Sequence, residues 1–163
     1  MRIPRTITWL ALWRDTVGAA MVEFTLVAPF LLFLGLGMSE FGRFFYQYQL
    51  VLDGLRDGAR YLARTQDPTS TANKDRAKCL ALTGTISNSG GSCTGTARVE
   101  GWGAVTFNVA PINNSAGTYR GGATIYTVQA STTFSYLDVG FLDTLGLPAI
   151  SIVATHMQRA IGE

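Results

Sequence analysis

The feature that most constrains this chain is an apolar run over residues 16–39, in which Glu23 is the single charged residue. About 20 consecutive, mostly apolar residues are enough for an α-helix to cross the hydrocarbon core of a bilayer. Three arginines but only one acid precede the run, and Lys and Arg are enriched on the cytoplasmic side of membrane helices. The sequence therefore predicts a single-pass membrane helix with its N-terminus in the cytoplasm.

Two simpler interpretations of this run remain open, namely a cleaved secretory signal peptide and a plain uncleaved anchor. A signal peptide has an apolar region of about 7–15 residues followed by a small-x-small cleavage site. The run here is longer, and Gly35-Leu36-Gly37 matches such a site poorly. Neither interpretation explains Glu23, because an ionisable group inside a membrane segment costs a few kcal/mol at the bilayer centre. A carboxylate near a helix start is favoured by the helix dipole, so a purely interfacial Glu23 also stays open.

Beyond Ser39 the apolar residues continue at helical spacing for about six turns. They form a stripe of Phe41, Phe44, Phe45, Tyr48, Leu52, Leu55, Ala59 and Leu62. The opposite face carries Arg43, Gln47, Asp57, Arg60 and Arg64. We therefore predict one long helix over residues 19–63, ended by Asp67-Pro68.

Two further features of this helix bear on its packing. Asp53–Arg56 and Asp57–Arg60 are spaced as i,i+3 ion pairs, which support a helix weakly. The glycines at positions 42, 54 and 58 lower the intrinsic helix propensity. The helix is therefore expected to pack against another element.

Three blocks of sequence carry a family resemblance: residues 18–29 (GAAMVEFTLVAP), 39–48 (SEFGRFFYQY) and 55–61 (LRDGARY). They contain a Gly followed by Glu-Phe, a Pro six residues after the Glu, a Leu-rich span, a Glu-Phe-Gly-Arg and a closing Arg-Asp-Gly-Ala-Arg-Tyr. In this order and spacing they resemble the opening of TadE/TadG-like proteins, which are prepilin-like components of Tad (Flp, type IVc) pili. The resemblance covers about residues 17–64.

The resemblance implies a maturation step in which a prepilin peptidase cuts on the cytoplasmic side of the membrane, between Gly18 and Ala19. Glu23 and Phe24 would then be the assembly residues, with Glu23 neutralising the new α-amino group in its own chain or a neighbouring one. Pro29 lacks an N–H, so we expect it to kink or locally melt the helix. An apolar patch at residues 7–13 departs from the simplest leader and leaves the role of the leader and the true start codon open.

The resemblance also implies a pilin-like α+β fold, in which a long N-terminal helix packs on a small antiparallel sheet. The expected parts are a leader (1–18), a transmembrane helix with an amphipathic extension (19–64) and an exported, β-rich periplasmic domain (65–163). The implied partners are a prepilin peptidase, other pilin or pseudopilin subunits, the inner-membrane assembly platform of the Tad system and membrane lipid.

The polar downstream part predicts one short helix and several strands. The helix is expected over residues 73–82, capped by Ser70 or Thr71 and stopped by Gly84. One strand is predicted around residues 105–109 and a last one over 149–157. The clearest strand is 124–136, where strict alternation indicates an antiparallel sheet with one solvated face.

Chemical motifs are sparse in this sequence. Cys79 and Cys93 can pair if their domain is exported, and two unrelated thiols are the alternative. The one histidine, His156, has no acidic cluster or nucleophile motif beside it, and Gly101-Trp102-Gly103 is expected to be a turn with an aromatic plug. A net charge of +2 is too small for a nucleic-acid partner. We therefore predict no enzyme, no cofactor and no metal site.

These features bear on three possible functions. A pseudopilin or minor pilin accounts for the motif blocks and requires cleavage after Gly18. An uncleaved single-pass anchor carrying a periplasmic binding or adhesion module requires an intact N-terminus and tolerance of Glu23→Ala. A small exported enzyme finds no supporting site in the sequence.

Overall fold

A computed structural model describes residues 16–89, 92–119, 122–138 and 140–161. Residues 1–15 of the predicted leader, which include its apolar patch, lie outside the described residues. The chain divides into an N-terminal unit, Met1–Phe41, and a C-terminal unit, Gly42–Glu163.

Helix α1 runs over Thr16–Ala63 as one α-helix, which confirms the predicted helix over residues 19–63. It ends at Ala63, before the Asp67-Pro68 pair that was expected to stop it. Pro29 lies inside α1, and residues on both sides of it are helical. The helix therefore continues through Pro29, although proline has no N–H to donate to the carbonyl four residues earlier.

In the N-terminal unit, α1 leaves its large apolar side chains exposed. Met21, Leu26 and Leu32, for example, are 69%, 76% and 68% exposed. The segment is long and apolar enough to cross a membrane, and none of its most apolar stretch is buried within the chain. These residues have no protein core of their own, as expected for a helix that lies in lipid.

In the C-terminal unit, the last five turns of α1 form one wall of the core. The fully buried residues of this wall are Val51, Leu55, Ala59, Leu62 and Ala63. The predicted stripe was therefore partly wrong, since Phe41 and Phe45 are 68% and 58% exposed and Val51 is buried instead. The buried face of α1 includes Gly54 and Gly58, where the backbone of a neighbouring element approaches the helix. Phe45 lies on the other side of α1 and is therefore exposed.

Helix α2 covers Thr71–Thr83, beginning two residues earlier than predicted. Ser70 occupies the N-cap position, but its side chain makes no capping hydrogen bond. Gly84 ends the helix in the left-handed conformation (φ 76°), with its N–H donating to the carbonyl of Leu80. Only glycine adopts this conformation without strain, so the predicted stop at Gly84 is confirmed.

The turn between α1 and α2 is organised by Asp67. Its carboxylate accepts hydrogen bonds from the hydroxyl and the backbone N–H of Thr69. These bonds favour the charged form and hold the pKa of the Asp67 carboxyl below its ordinary value. The turn is thus closed by a charged side chain at the surface.

Helices α1 and α2 cross at very close range. A Cβ atom built on Gly54 would lie 2.5 Å from the carbonyl oxygen of Ala81, and one on Gly58 would lie 2.8 Å from that of Ala77. Residues four apart lie on the same face of a helix, so two glycines of α1 face two alanines of α2. The small residues allow the two backbones to come into contact.

The main sheet has three antiparallel strands, which lie side by side in chain order. Its strands are β3 (Thr106–Asn113), β4 (Thr124–Ser135) and β5 (Ser151–Arg159). A short ribbon of β1 (Asn88–Ser89) and β2 (Ser92–Cys93) precedes it, and a one-turn helix α3 (Phe141–Thr144) lies between β4 and β5. The inner face contributes Phe107, Val128, Ala130, Phe134, Ile152 and Ala154 to the core that α1 shares. The predicted α+β fold is therefore confirmed.

Trp102 lies in the segment between β2 and β3 and fills the space between the sheet and α1. It is 3% exposed, and its ring lies 6.3 Å from that of Phe134. Its indole N–H donates to the hydroxyl oxygen of Thr132 at 2.9 Å, and that hydroxyl donates in turn to the carbonyl of Ala104. The prediction of an aromatic plug is confirmed.

In the structure a disulfide joins Cys79 of α2 to Cys93 of β2. The two residues are 14 positions apart, so the bond attaches the β1–β2 ribbon to α2. Closing a loop of this size stabilises a fold by about 3 kcal/mol in the chain-entropy model.

We expect Cys93→Ser to lower the free energy of unfolding of the C-terminal unit by about 3 kcal/mol, because the unfolded chain regains the freedom of the open loop. Urea titration with pulse proteolysis of the full chain in detergent micelles measures this change. Ser92→Ala, an exposed neighbour on the same strand, serves as the control and should leave the midpoint unchanged. Equal stability of Cys93→Ser and wild type would contradict the prediction.

Candidate processing and assembly segment

The candidate site begins in the first described turns of α1. Gly18 and Ala19 are exposed, and a Cβ atom added to Gly18 would meet nothing within 4 Å. Glu23 and Phe24 are exposed as well, the latter by 65%. No part of the described chain covers this segment, so a partner could reach it from any side.

Helical spacing relates the residues of this segment to each other. Ala19 and Glu23 are four positions apart on α1 and therefore occupy the same face, one turn apart. A carboxylate at Glu23 is thus within reach of a charge placed at the nitrogen of Ala19. The next position, Phe24, lies on a different face of the helix.

Pro29 and Thr25 define the middle of the segment. Because Pro29 has no N–H, the carbonyl of Thr25 has no donor four residues along the helix. The hydroxyl of Thr25 itself donates to the carbonyl of Met21 at 2.6 Å. The backbone near Pro29 is therefore less fully hydrogen-bonded than the rest of α1, and the expected kink remains a prediction.

The third motif block, residues 55–61, lies in the last turns of α1, within the core of the C-terminal unit. Its Gly58 is the point of contact with α2, and its Asp57 forms an ion pair with Arg98 at 2.7 Å. The predicted Asp53–Arg56 pair is confirmed at 3.1 Å. Asp57 was expected to pair with Arg60, but in the described part of the chain it pairs with Arg98, which the fold brings close from 41 positions away.

The described residues offer little for catalysis or metal binding. They contain no group of three or more His, Cys, Asp or Glu side chains that could hold a metal ion. His156 is half-buried on β5, opposite Ala130 of β4. What the structure brings together is therefore a bare apolar helix, an exposed acid near its start and a small folded unit.

No curated protein and no solved structure matches the chain. Residues 18–60 match the sequence model of the TadE-like protein family, beginning at Gly18 and ending within the third motif block. Over these residues the apolar helix of this chain is similar to the TadE-like family, as its motifs predicted.

Proposed function

We propose that the chain is a pseudopilin or minor pilin that takes part in assembly of a Tad (Flp) pilus and is matured by cleavage between Gly18 and Ala19. The observation that carries the proposal is the TadE-like match, which begins at Gly18 and covers α1 as far as Arg60. The same helix is the element that a pilin subunit uses both as its membrane anchor and as its contact with other subunits.

The exposure of the first half of α1 supports this use. Burial of apolar surface is worth roughly 25 cal/mol per Å², so a helix with this many exposed large apolar side chains is strongly driven out of water. Lipid satisfies that requirement first, and the helices of other subunits can replace lipid later. Among the described residues, one N-terminal helix is long and apolar enough to cross a membrane, which supports a single-pass membrane anchor.

The positions of Gly18 and Glu23 support the proposed maturation. Cleavage after Gly18 would leave a positive α-amino group at Ala19, one turn from the carboxylate of Glu23. Pairing the two charges lowers the cost of placing either one near apolar surroundings. The same carboxylate can instead meet the amino group of a neighbouring subunit, with Phe24 supplying apolar contact.

The proposed topology places the leader (1–18) in the cytoplasm, the span of the 19–64 helix in the inner membrane and the domain of residues 65–163 in the periplasm. The arginines ahead of the span favour this direction. The Cys79–Cys93 bond agrees with it, because disulfides persist in oxidising compartments such as the periplasm. A prepilin peptidase and the Tad assembly platform are then the expected membrane partners.

The test is the intact mass and N-terminal sequence of the full chain, extracted from membranes made with and without a cognate prepilin peptidase. We expect a new start at Ala19 with the peptidase present, and its complete loss in Gly18→Leu. Gly35→Leu is the matched control, since Gly35 is equally open on the same helix. An unchanged N-terminus under all conditions would instead favour an uncleaved anchor, and a start near Met38 would indicate a signal peptide.

Glu23→Gln separates maturation from assembly in the same experiment. We expect it to be cleaved like the wild type, because the change lies five residues beyond the scissile bond. Crosslinking to other pilin subunits should be lost, since the amide cannot neutralise an α-amino group. Wild-type crosslinking by Glu23→Gln would remove Glu23 from the proposed assembly role.

A further inference from the structure

The loop that joins β4 to β5, residues 136–150, carries an acidic and apolar surface. It contains Asp138 and Asp143 but no Lys or Arg. Exposed apolar side chains that are grouped together mark interaction sites on folded proteins. Four large aliphatic side chains of this loop are between 41% and 51% exposed: Leu137, Leu145, Leu147 and Ile150.

The β4–β5 loop has its own internal hydrogen bonds. Leu142 packs against the core, and its carbonyl accepts the N–H of Leu147 at 3.0 Å. The carboxylate of Asp138 accepts the N–H of Leu142. Asp143 is exposed, and its carboxylate forms no ion pair within the described part of the chain. The negative charge that the loop offers to a partner is therefore that of Asp143.

The opposite charge lies in a groove between α1 and α2. Arg60 and Arg64 are both exposed, and neither forms an ion pair with any described residue. Asp57 also lines the groove, but Arg98 already binds its carboxylate at 2.7 Å. The groove therefore keeps two unmatched positive charges. Its volume is about 410 Å³, and it is lined by Asp57, Arg60, Tyr61, Arg64, Thr65 and Leu80.

The groove also offers apolar surface beside these charges. Tyr61 and Leu80 are partly buried and line it together with the two arginines. Arg76 lies one turn before Leu80 on α2 and is exposed, so it adds positive charge on the same side of that helix. Guanidinium groups bind carboxylates through two parallel N–H donors. The groove therefore fits an acidic segment with apolar side chains next to its carboxylate.

The loop and the groove lie at opposite ends of the C-terminal unit. Tyr136 contacts Phe44 with a ring separation of 5.4 Å, and its N–H donates to the carbonyl of Ile150, so both ends of the loop lie at this end. At the other end, the N–H of Ile161 donates to the carbonyl of Ala63, in the last turn of α1. Phe44 and Ala63 are about 28 Å apart along the helix. A contact between the two surfaces therefore requires two copies of the chain.

We propose that the β4–β5 loop of one copy docks in the α1–α2 groove of a second copy, with Asp143 meeting Arg60 and Arg64. Leu145 and Leu147 then pack on the apolar surface of the groove. The occupant is a second copy because each unit carries both halves of a pair that is complementary in charge and in apolar character. The contact joins two different surfaces, so it can repeat from copy to copy rather than close after two. The inference rests on the proposed pilin function, and it adds a contact between the folded units of successive subunits.

The test is crosslinking between two differently tagged full chains made in the same membranes, without reductant so that the native disulfide stays closed. One chain carries Leu147→Cys and the other Thr65→Cys, and a short thiol crosslinker is added. We expect a product that contains both tags. Val153→Cys replaces Thr65→Cys in the control, because Val153 is 62% exposed on β5 and does not line the groove. This control should give little product.

Charge reversal tests the pairing itself. Asp143→Arg in the Leu147→Cys chain, or Arg64→Asp in the Thr65→Cys chain, should lower the yield by about tenfold or more, because like charges then meet in the contact. The two reversals combined should restore the product. Arg56→Asp is the matched control, since it makes the same change on α1 outside the groove and should leave the yield unchanged.

The start of each chain, read on the same samples, separates this inference from the proposed function. A product with rescue by the double reversal but no start at Ala19 would support the contact and overturn the proposed maturation. Absence of the product overturns the inference whatever the N-terminus is. A product between two Leu147→Cys chains alone, an equal yield from Val153→Cys, or failure of the double reversal to restore the yield would each overturn it as well.

Discussion

Gly58→Leu is expected to cost the C-terminal unit about 3 kcal/mol of unfolding free energy or more, because overpacking here meets a rigid neighbour. A Cβ atom on Gly58 would lie 2.8 Å from the backbone oxygen of Ala77 and 2.7 Å from the ring of Phe107. A backbone carbonyl inside a helix cannot move aside as a flexible side chain would, so α1 and α2 must separate. Pulse proteolysis of the full chain in urea measures the loss.

Gly42→Leu is the matched control for this prediction. The same substitution on the same helix places its Cβ where no atom lies within 4 Å. Removing a helical glycine then increases stability by up to about 1 kcal/mol through helix propensity. Opposite signs for the two variants would support the close crossing of α1 and α2, and a similar small effect from both would refute it.

Trp102→Ala is the second large effect that we expect, with a loss of about 3–5 kcal/mol, the usual range for removing a buried aromatic side chain. Trp102 is 3% exposed, and its ring would lie 2.7 Å from a Cβ atom built on Gly54 of α1. Removing the side chain leaves a cavity between helix and sheet. It also removes the indole N–H that donates a hydrogen bond to the hydroxyl oxygen of Thr132. The urea midpoint of the protease-resistant unit reports the change.

Trp102→Phe separates the packing of the ring from its hydrogen bond. Phenylalanine keeps most of the ring volume but has no N–H. We therefore expect the free energy of unfolding to fall by about 1 kcal/mol for the lost hydrogen bond, and by a smaller amount for the change in packing. The hydroxyl of Thr132 keeps its own bond to Ala104. If Phe were as destabilising as Ala, the hydrogen bond rather than the packing would dominate.

Strong local periodicity explains why α1 and β4 could be predicted from the sequence. The apolar run and the spaced stripe that follows it both favour a helix, so neither depends on tertiary contacts. The alternation in residues 124–136 fixed both the strand and its buried face, on which Val128, Ala130 and Phe134 indeed lie. For β4 the pattern and the fold agree at these positions, whereas the stripe on α1 predicted the helix but not the exposure of Phe41 and Phe45.

The errors arose where the neighbour of an element decides the outcome. An apolar stripe on α1 does not reveal which of its flanks faces the core. Phe45 is large and apolar, which favours a buried position, yet it is 58% exposed. The decisive signal was the pair Gly54 and Gly58, whose spacing permits close contact between helices. Similarly, no local rule relates Asp57 to Arg98, since only the folded chain brings them together.

The candidate site was predictable to the extent that its residues form a family pattern. The motif blocks identified the segment from Gly18 onward, and the TadE-like match covers it. Apart from these motifs, the segment shows only an acid inside an apolar run, which an interfacial carboxylate explains as well. The roles proposed for Gly18 and Glu23 involve a peptidase or a neighbouring subunit, so a single folded chain does not contain the partner of either residue.

The core joins segments that are far apart in the sequence, and this affects how the protein folds during synthesis. Leu62 of α1 and Ile152 of β5 share one core, although about 90 positions separate them, and such distant contacts slow folding. Synthesis therefore delivers the wall of α1 long before its last strand. Until β5 arrives, β4 has an unpaired edge and the α1 wall is uncovered, a species that aggregates readily. The Cys79–Cys93 bond joins residues made before the main sheet, so oxidation can secure α2 during this exposed stage.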